Sequence, residues 1–186
     1  MSLELSNHAD VDDAALVARA QAGERTAFSL LVRRHQTTVY RVCYRILGNE
    51  LDAEDAAQEA FLRAFRKLHT FLGQSTFRTW LLRLTVNVSL NERERRRPPH
   101  PDGTDRGAER HPAPEPGPEA ELLRSELAAT VQRALQGLRH EHRAAVVLRD
   151  LEGLSYAEVA AALGVPEGTA KGWAHRGRER LKELLT

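Results

Sequence analysis

A proline-rich segment divides the chain and limits what it can fold into. Seven of the eight prolines lie between Pro98 and Pro118, with three glycines among them and almost no aliphatic residue. Such a stretch neither continues a helix nor supplies a core, so it is typical of a linker. The sequence therefore predicts a helical domain over residues 1–97, a flexible linker over 98–118 and a second small domain over 119–186.

Composition excludes several classes of protein. With 41% hydrophobic and 28% charged residues the chain has enough apolar side chains to fold, so wholesale disorder is excluded. No apolar run approaches the roughly 18 residues that span a bilayer, and the start of the chain does not resemble a signal peptide. A single cysteine, Cys43, fits a reducing compartment. These features predict a cytoplasmic protein that does not insert into a membrane.

Helical periodicity runs through the N-terminal domain. Apolar residues spaced three and four apart predict one long helix from Phe28 to Leu47, ended by Gly48. Asp52 is predicted to cap the next helix. A weaker helix near residues 11–20 precedes them, and a loop over 69–75 leads to a helix carrying Trp80. The predicted buried face of the Asp52 helix consists of Ala57, Phe61, Ala64, Phe65 and Leu68.

The C-terminal domain carries the pattern of a helix-turn-helix. Ser155 and Glu158 have the spacing of a capping box, Gly164 suits the end of a short helix, and Pro166 suits the start of the next. Two helices joined by a short turn containing glycine form this motif. No convincing strand is visible, so the predicted fold class is all-α, two small helical domains joined by the linker.

The formal net charge of +1 hides separated patches. Residues 50–59 hold five carboxylates and no base, whereas residues 78–97 hold six arginines against two glutamates. Residues 169–182 hold five bases against one glutamate. Two basic helices on two domains fit a DNA partner, because neutralising phosphates releases counterions.

The second helix of such a motif enters the major groove of DNA. Here Ala170, Ala174, Gly177 and Leu181 are predicted to face inward. Basic side chains near the end of a helix also interact favourably with its dipole, which is the alternative explanation for part of this charge. The outward candidates for DNA contact are Glu167, Lys171, Gly172, His175, Arg176 and Arg178.

The acidic and aromatic clusters each allow alternatives. Asp52, Asp55 and Glu59 share one helix face, which suits a docking surface for a basic protein, a solvated helix face or, less well, a metal site that has no second cluster to complete it. Phe71, Phe77 and Trp80 are either ordinary core or a platform on which unpaired bases stack. No catalytic constellation and no cofactor motif is present, so the sequence predicts a protein that is not an enzyme.

Two blocks of sequence resemble the bacterial sigma factors of the extracytoplasmic-function group. Residues 52–59 (DAEDAAQE), 71–75 (FLGQS), 79–83 (TWLLR) and Asn87 resemble conserved region 2 of that family. Residues 152–158 (EGLSYAE) and 164–169 (GVPEGT) resemble region 4. The chain departs from the usual pattern at Arg139, Gly172 and Trp173, where the family usually has Pro, Ser and Arg.

The resemblance implies a protein that binds core RNA polymerase, directs it to promoters and helps to open the DNA. It implies docking on the clamp coiled coil of the largest polymerase subunit, through Asp52, Asp55, Gln58 and Glu59, and a contact with the polymerase flap. It implies recognition of the minus-35 element by the outward residues of the last helix. An anti-sigma factor is a further partner common in the family. The residues implied for the minus-10 element are Phe71, Gly73, Gln74, Ser75, Phe77, Trp80, Arg83 and Asn87.

Two other hypotheses remain at this point. A stand-alone helix-turn-helix regulator would use the C-terminal domain but leave the acidic helix and aromatic loop unexplained. A helical metal-dependent enzyme would use Asp52, Asp55 and Glu59. The linker favours the sigma factor, because residues 98–118 extended at about 3.1 Å per residue would reach ~65 Å, and two DNA turns span about 70 Å.

Overall fold

The computed structural model describes residues 12–96 and 118–186, and the side chains of residues 12–92 and 126–186. Within those residues it is built of helices and turns with no strand, which confirms the predicted all-α class. Most of the predicted linker lies outside the described residues. The helices are α1 (Asp13–Gln21), α2 (Arg25–Leu47), α3 (Glu50–Lys67), α4 (Phe77–Arg96), α5 (Pro118–Gln136), α6 (His140–Val146), α7 (Tyr156–Leu163) and α8 (Glu167–Leu185).

A left-handed glycine separates α2 from α3. Gly48 ends α2 with φ +83, the conformation that its sequence position predicts. Asn49 then takes an extended backbone and accepts a hydrogen bond from the Asp52 amide at 3.0 Å. The prediction that Asp52 caps α3 is therefore wrong, and Asp52 lies in the first turn. Both residue types cap helices, and Asn49 acts as the cap because it directly follows the glycine.

Alanines, and not the large aromatics, form the buried face of α3. Ala53, Ala56, Ala60 and Ala64 are buried there, so α3 can approach its neighbours closely. Leu68, which follows α3, is also buried, whereas Phe65 is 50% exposed. The predicted face is therefore wrong at Phe65, because hydrophobicity favours the large side chain where close packing requires a small one.

The helix-turn-helix is formed as predicted. Ser155 and Glu158 make the reciprocal capping box of α7, and Gly164 ends α7 with φ +67. Helix α8 begins directly after Pro166 and buries Ala170, Ala174 and Gly177. Gly177 is required by packing, because a Cβ there would lie 2.5 Å from Val146 Cγ2.

The two halves of the molecule pack against each other. One core cluster lies within the N-terminal half, around Leu31, Val39 and Leu81. A second cluster joins residues of α2 and α4 to the C-terminal helices, so its interior is shared. The members from the N-terminal half are Val42, Ile46, Leu82 and Val86, and those from the C-terminal half include Leu135, Leu138, Ala144, Leu148, Leu154 and Val159.

The last carbonyls of α2 receive hydrogen bonds from the C-terminal half. Gln132 Nε2 donates to Tyr44 O at 2.8 Å, and Gln136 Nε2 donates to Arg45 O at 3.1 Å. Arg143, whose side chain is fully buried, donates to Ile46 O at 2.6 Å. Carbonyls at a helix C-terminus have no partner within the helix. The Gly48 amide donates to Tyr44 O at 2.8 Å, so Gln132 adds a second donor there, while Gln136 and Arg143 donate to the next two carbonyls.

Candidate nucleic-acid interface

An open pocket of about 400 Å³ lies between the end of α3, the following loop and α4. It brings together six of the residues predicted to contact the minus-10 element, together with four that were not predicted. Gly73 and Phe77 do not line it. The predicted residues are Phe71, Gln74, Ser75, Trp80, Arg83 and Asn87, and the additional ones are Lys67, Thr70, Leu72 and Leu84.

Packed aromatic rings form one wall of this pocket. The ring centroids of Phe71 and Trp80 lie 5.2 Å apart, and both rings remain partly exposed. Phe77 is only 3% exposed and packs against both rings, at 6.1 Å and 5.7 Å. Phe77 therefore supports the wall from inside the core, and a direct contact between its ring and DNA is not available in this arrangement.

Hydrogen bonds from α1 and α4 hold the loop beside the pocket. Gln21 Nε2 donates to the carbonyl oxygens of Leu68 and Phe71, each at 2.9 Å. At the other end of the loop the hydroxyl of Thr76 accepts from the Thr79 amide at 3.1 Å, which caps α4. Gly73, with φ +71, allows the reversal between these two anchors.

Lys67 and Arg83 make the pocket attractive to an anion, and its aromatic wall offers a stacking surface. Gln74, Ser75 and Asn87 add neutral hydrogen-bonding groups. This set suits an unpaired nucleotide, whose base stacks on a ring while its phosphate lies near a cation. Lys67 was missed in the sequence because it ends the preceding helix, outside the loop that carries the other candidates.

Helix α8 presents a polar surface away from the core. Glu167, Lys171, His175 and Arg176 are exposed, and Gly172 is partly exposed between them. Trp173, at a position where the resembling family has Arg, is partly buried against the shared core cluster. Its packing explains how the helix accommodates an aromatic residue there.

Arg178 has partners within its own half. Its guanidinium contacts Asp150 Oδ1 at 3.2 Å and donates to the Tyr156 hydroxyl at 3.0 Å. The hydrogen bond from Arg178 lowers the pKa of Tyr156. Arg178 therefore braces α8 against α7 and the π-helical turn Val147–Leu151, while its side chain stays 43% exposed on the face that carries Lys171.

The outer face of α3 combines acidic and apolar side chains. Asp55 and Gln58 are exposed, and Asp52 and Glu59 are partly exposed. Glu59 forms an ion pair with Arg63 at 2.6 Å, and the hydrogen bond from Arg63 lowers the pKa of Glu59.

Leu51 and Leu62 extend this face at its two ends. They are 73% and 50% exposed. Leu51 lies four residues before Asp55, and Leu62 lies three residues after Glu59. The charge pattern alone does not identify them. The two leucines add apolar area to the acidic face without forming a contiguous patch, and single exposed leucines of this kind are common on protein surfaces.

No group of three or more His, Cys, Asp or Glu residues lies close enough to hold a metal ion among the described residues. No helix within the described ranges has the length and apolar character needed to cross a membrane.

Known protein families match both halves of the chain. Residues 31–98 match the family described as Sigma-70 region 2, which includes the acidic face and the pocket. Residues 128–181 match the family described as Sigma-70, region 4, which includes the helix-turn-helix.

Named relatives agree with these matches. The chain is 45% identical over 155 residues to the ECF RNA polymerase sigma factor SigE of Mycolicibacterium smegmatis, covering 83% of this chain and 60% of that protein. It is 38% identical over 180 residues to the RNA polymerase sigma-H factor of Pseudomonas aeruginosa, covering 93% of each. A solved structure of CnrH in complex with the cytosolic domain of CnrY superimposes with a TM-score of 0.69 at 29% identity, covering 93% of this chain and 96% of that one.

Proposed function

Because this chain belongs to the extracytoplasmic-function group of the sigma-70 family, we propose that it binds core RNA polymerase and directs transcription initiation at specific promoters. The observation that carries the proposal is the pocket on α4, where aromatic, amide and basic side chains converge within the region 2 match. A stand-alone regulator has no use for this pocket, so the match to region 2 favours the sigma factor over that alternative.

The pocket takes an unpaired base of the minus-10 element in this proposal. The base stacks against Phe71 and Trp80, whose rings are accessible, while Arg83 or Lys67 holds an adjacent phosphate. Phe77 acts indirectly by fixing both rings from below. Binding a base that has left the duplex stabilises the open form of the DNA and so favours strand separation.

The outer face of α3 docks on the polymerase. Its carboxylates Asp55 and Glu59 offer charge complementarity to a basic surface, and Leu51 and Leu62 offer apolar area at the ends. The clamp coiled coil of the largest polymerase subunit is the surface that the family resemblance assigns to this helix. A contact between the C-terminal half and the polymerase flap belongs to the same proposal.

Helix α8 reads the minus-35 element. Lys171 and His175 are exposed near its start, where a recognition helix meets base edges, and Arg176 follows them toward the phosphates. Gly172 offers no side chain for readout, so base contacts come from its neighbours. To contact DNA, Arg178 must either release Asp150 or contact Asp150 and a phosphate at the same time.

We propose further that the protein performs no chemistry of its own, since its surfaces bind polymerase and DNA. It works in the cytoplasm, where polymerase and chromosomal DNA are found. An anti-sigma factor regulates it, in keeping with a relative solved in complex with the cytosolic domain of another protein.

Transcription with purified components tests the function. Core polymerase supplied with this protein and fragmented chromosomal DNA from its host should produce transcripts that start at a restricted set of sites. Trp80→Ala should reduce those transcripts strongly while polymerase binding is retained, because it removes a wall of the pocket and none of the α3 face. If the mixture initiates only where core polymerase alone initiates, the proposed function is wrong.

A further inference from the structure

A single carboxylate at the contact between the two halves is surrounded by three arginines. Glu152 of the C-terminal half has no exposed side-chain area. Its Oε2 accepts from Arg78 Nη2 at 2.7 Å, and its Oε1 accepts from Arg41 and Arg45 at 3.2 Å and 3.3 Å. Arg78 also donates to the Glu152 carbonyl at 3.1 Å. All three arginines come from the N-terminal half.

The arginines form a site that needs an anion. Three guanidinium groups face one carboxylate, and the other acid close to Arg78 is Glu158, which accepts from the Thr79 hydroxyl at 2.9 Å. Without an anion the arginines would repel one another over a short distance, because Arg41 and Arg45 are one helical turn apart on α2. The N-terminal half therefore carries a preformed anion site whose occupant comes from the other half.

The occupant must leave when the protein works as proposed above, and in this respect the inference rests on the proposed function. A compact chain of this length has a radius of gyration of about 16 Å. The two promoter elements are at least two DNA turns apart, or about 70 Å. The packed halves cannot contact both elements at once, so they separate, and Glu152 leaves the arginines exposed.

We propose that Arg41, Arg45 and Arg78 form a binding site for a phosphodiester of the DNA backbone, which Glu152 occupies while the halves are packed together. A phosphodiester presents two oxygens and one negative charge, as a carboxylate does, and arginine forks bind both groups well. Arg78 lies on α4, the helix that also carries Trp80 and Arg83 of the pocket. Phosphate binding here and closure of the two halves exclude each other.

Fluorescence energy transfer in the full chain measures closure. Dyes are placed at Gln36→Cys and Glu179→Cys, two exposed helical positions in different halves. Cys43 does not compete for the dyes, because it is buried and its pKa is raised to about 11. Glu152→Gln should lower the transfer efficiency, because a neutral amide holds three arginines poorly.

Binding of a fluorescent 20-base-pair duplex without a promoter measures the phosphate site. Glu152→Gln should bind at least fivefold more tightly than the unaltered chain. Adding Arg41→Gln and Arg45→Gln to Glu152→Gln should lower its affinity for the duplex at least fivefold. The same change should reduce the slope of log affinity against log salt by about two. The matched control adds Arg25→Gln and Arg33→Gln, two exposed arginines of α2, and should keep the affinity within about twofold.

Each result decides the proposal. It is overturned if Glu152→Gln changes neither the transfer efficiency nor the duplex affinity, or if the halves open without a gain in affinity. It is also overturned if the variant that lacks Arg41 and Arg45 binds the duplex as tightly as the matched control that lacks Arg25 and Arg33. These measurements use the protein alone, so a failure here is distinct from a failure of promoter-specific transcription, which requires the polymerase.

Discussion

Two glycines of α8 lie on different sides of the helix and have opposite effects on its stability. Gly172 is partly exposed, and a Cβ there would meet Arg176 Nη2 at 3.5 Å, an ordinary contact. Gly177 is buried, and a Cβ there would lie 2.5 Å from Val146 Cγ2 and 3.1 Å from His142 O. Gly172 thus costs helix stability without serving the packing, whereas Gly177 allows α8 to lie against α6.

Alanine substitutions at these positions should move stability in opposite directions. Gly172→Ala should raise the free energy of unfolding by about 0.5–1 kcal/mol, because alanine loses less backbone freedom in a helix. Gly177→Ala should lower it by about 1–3 kcal/mol through overpacking. Denaturant unfolding of the two variants checks this, and a stabilised Gly177→Ala would contradict the close approach of α8 and α6.

At the scale of elements, the helices were predictable from periodicity and end signals, while details of their faces were not. Gly48 and Gly164 mark helix ends in the sequence, and the structure has both in the left-handed region. The buried face of α3 was misplaced because its alanines carry a weak hydrophobic signal beside Phe65. The pocket residues follow one another in a loop and the next helix, which is why six of the ten residues that line it are among those named from the sequence.

Charge reversal on α3 should separate docking from promoter recognition. Asp55→Lys combined with Glu59→Lys should abolish association with core polymerase, because both groups lie on the outer face. Lys171→Ala on α8 should leave association intact and weaken the upstream promoter contact. Co-purification with core polymerase and footprinting of the promoter complex measure the two effects, and equal loss of polymerase binding in both variants would contradict this division.

At the scale of the whole molecule, the sequence predicted two halves and a linker but not their packing. The donors and acceptors that join the halves are about 75 to 110 positions apart, and single residues such as Glu152 and Arg143 form no local pattern. The linker suggested separation, whereas the shared core joins α2 and α4 to the C-terminal helices. Pairings of this kind depend on tertiary structure that periodicity does not encode.

Arg143 should be essential to this packing. Its guanidinium donates to Ile46 O, to Gln136 O at 2.6 Å and to Leu138 O at 3.1 Å. Arg143→Met should lower the free energy of unfolding by about 2–4 kcal/mol, because buried carbonyls lose their donor. Calorimetry tests this, with Arg139→Met as control, since that side chain is 76% exposed. An Arg143→Met variant as stable as the control would contradict the assigned role.

The C-terminal donors to the end of α2 lie far along the chain, so their hydrogen bonds form late. Helix α2 ends at Leu47, but Gln132, Gln136 and Arg143 are added to the chain about 85 to 95 residues later. At about 5–20 residues per second, roughly 4 to 20 seconds pass before the ribosome has made them. During that interval the end of α2 lacks these three donors, and the N-terminal half has no C-terminal half to pack against. The two halves of each molecule are therefore separate at first, and they pack together only after the C-terminal half has been synthesised.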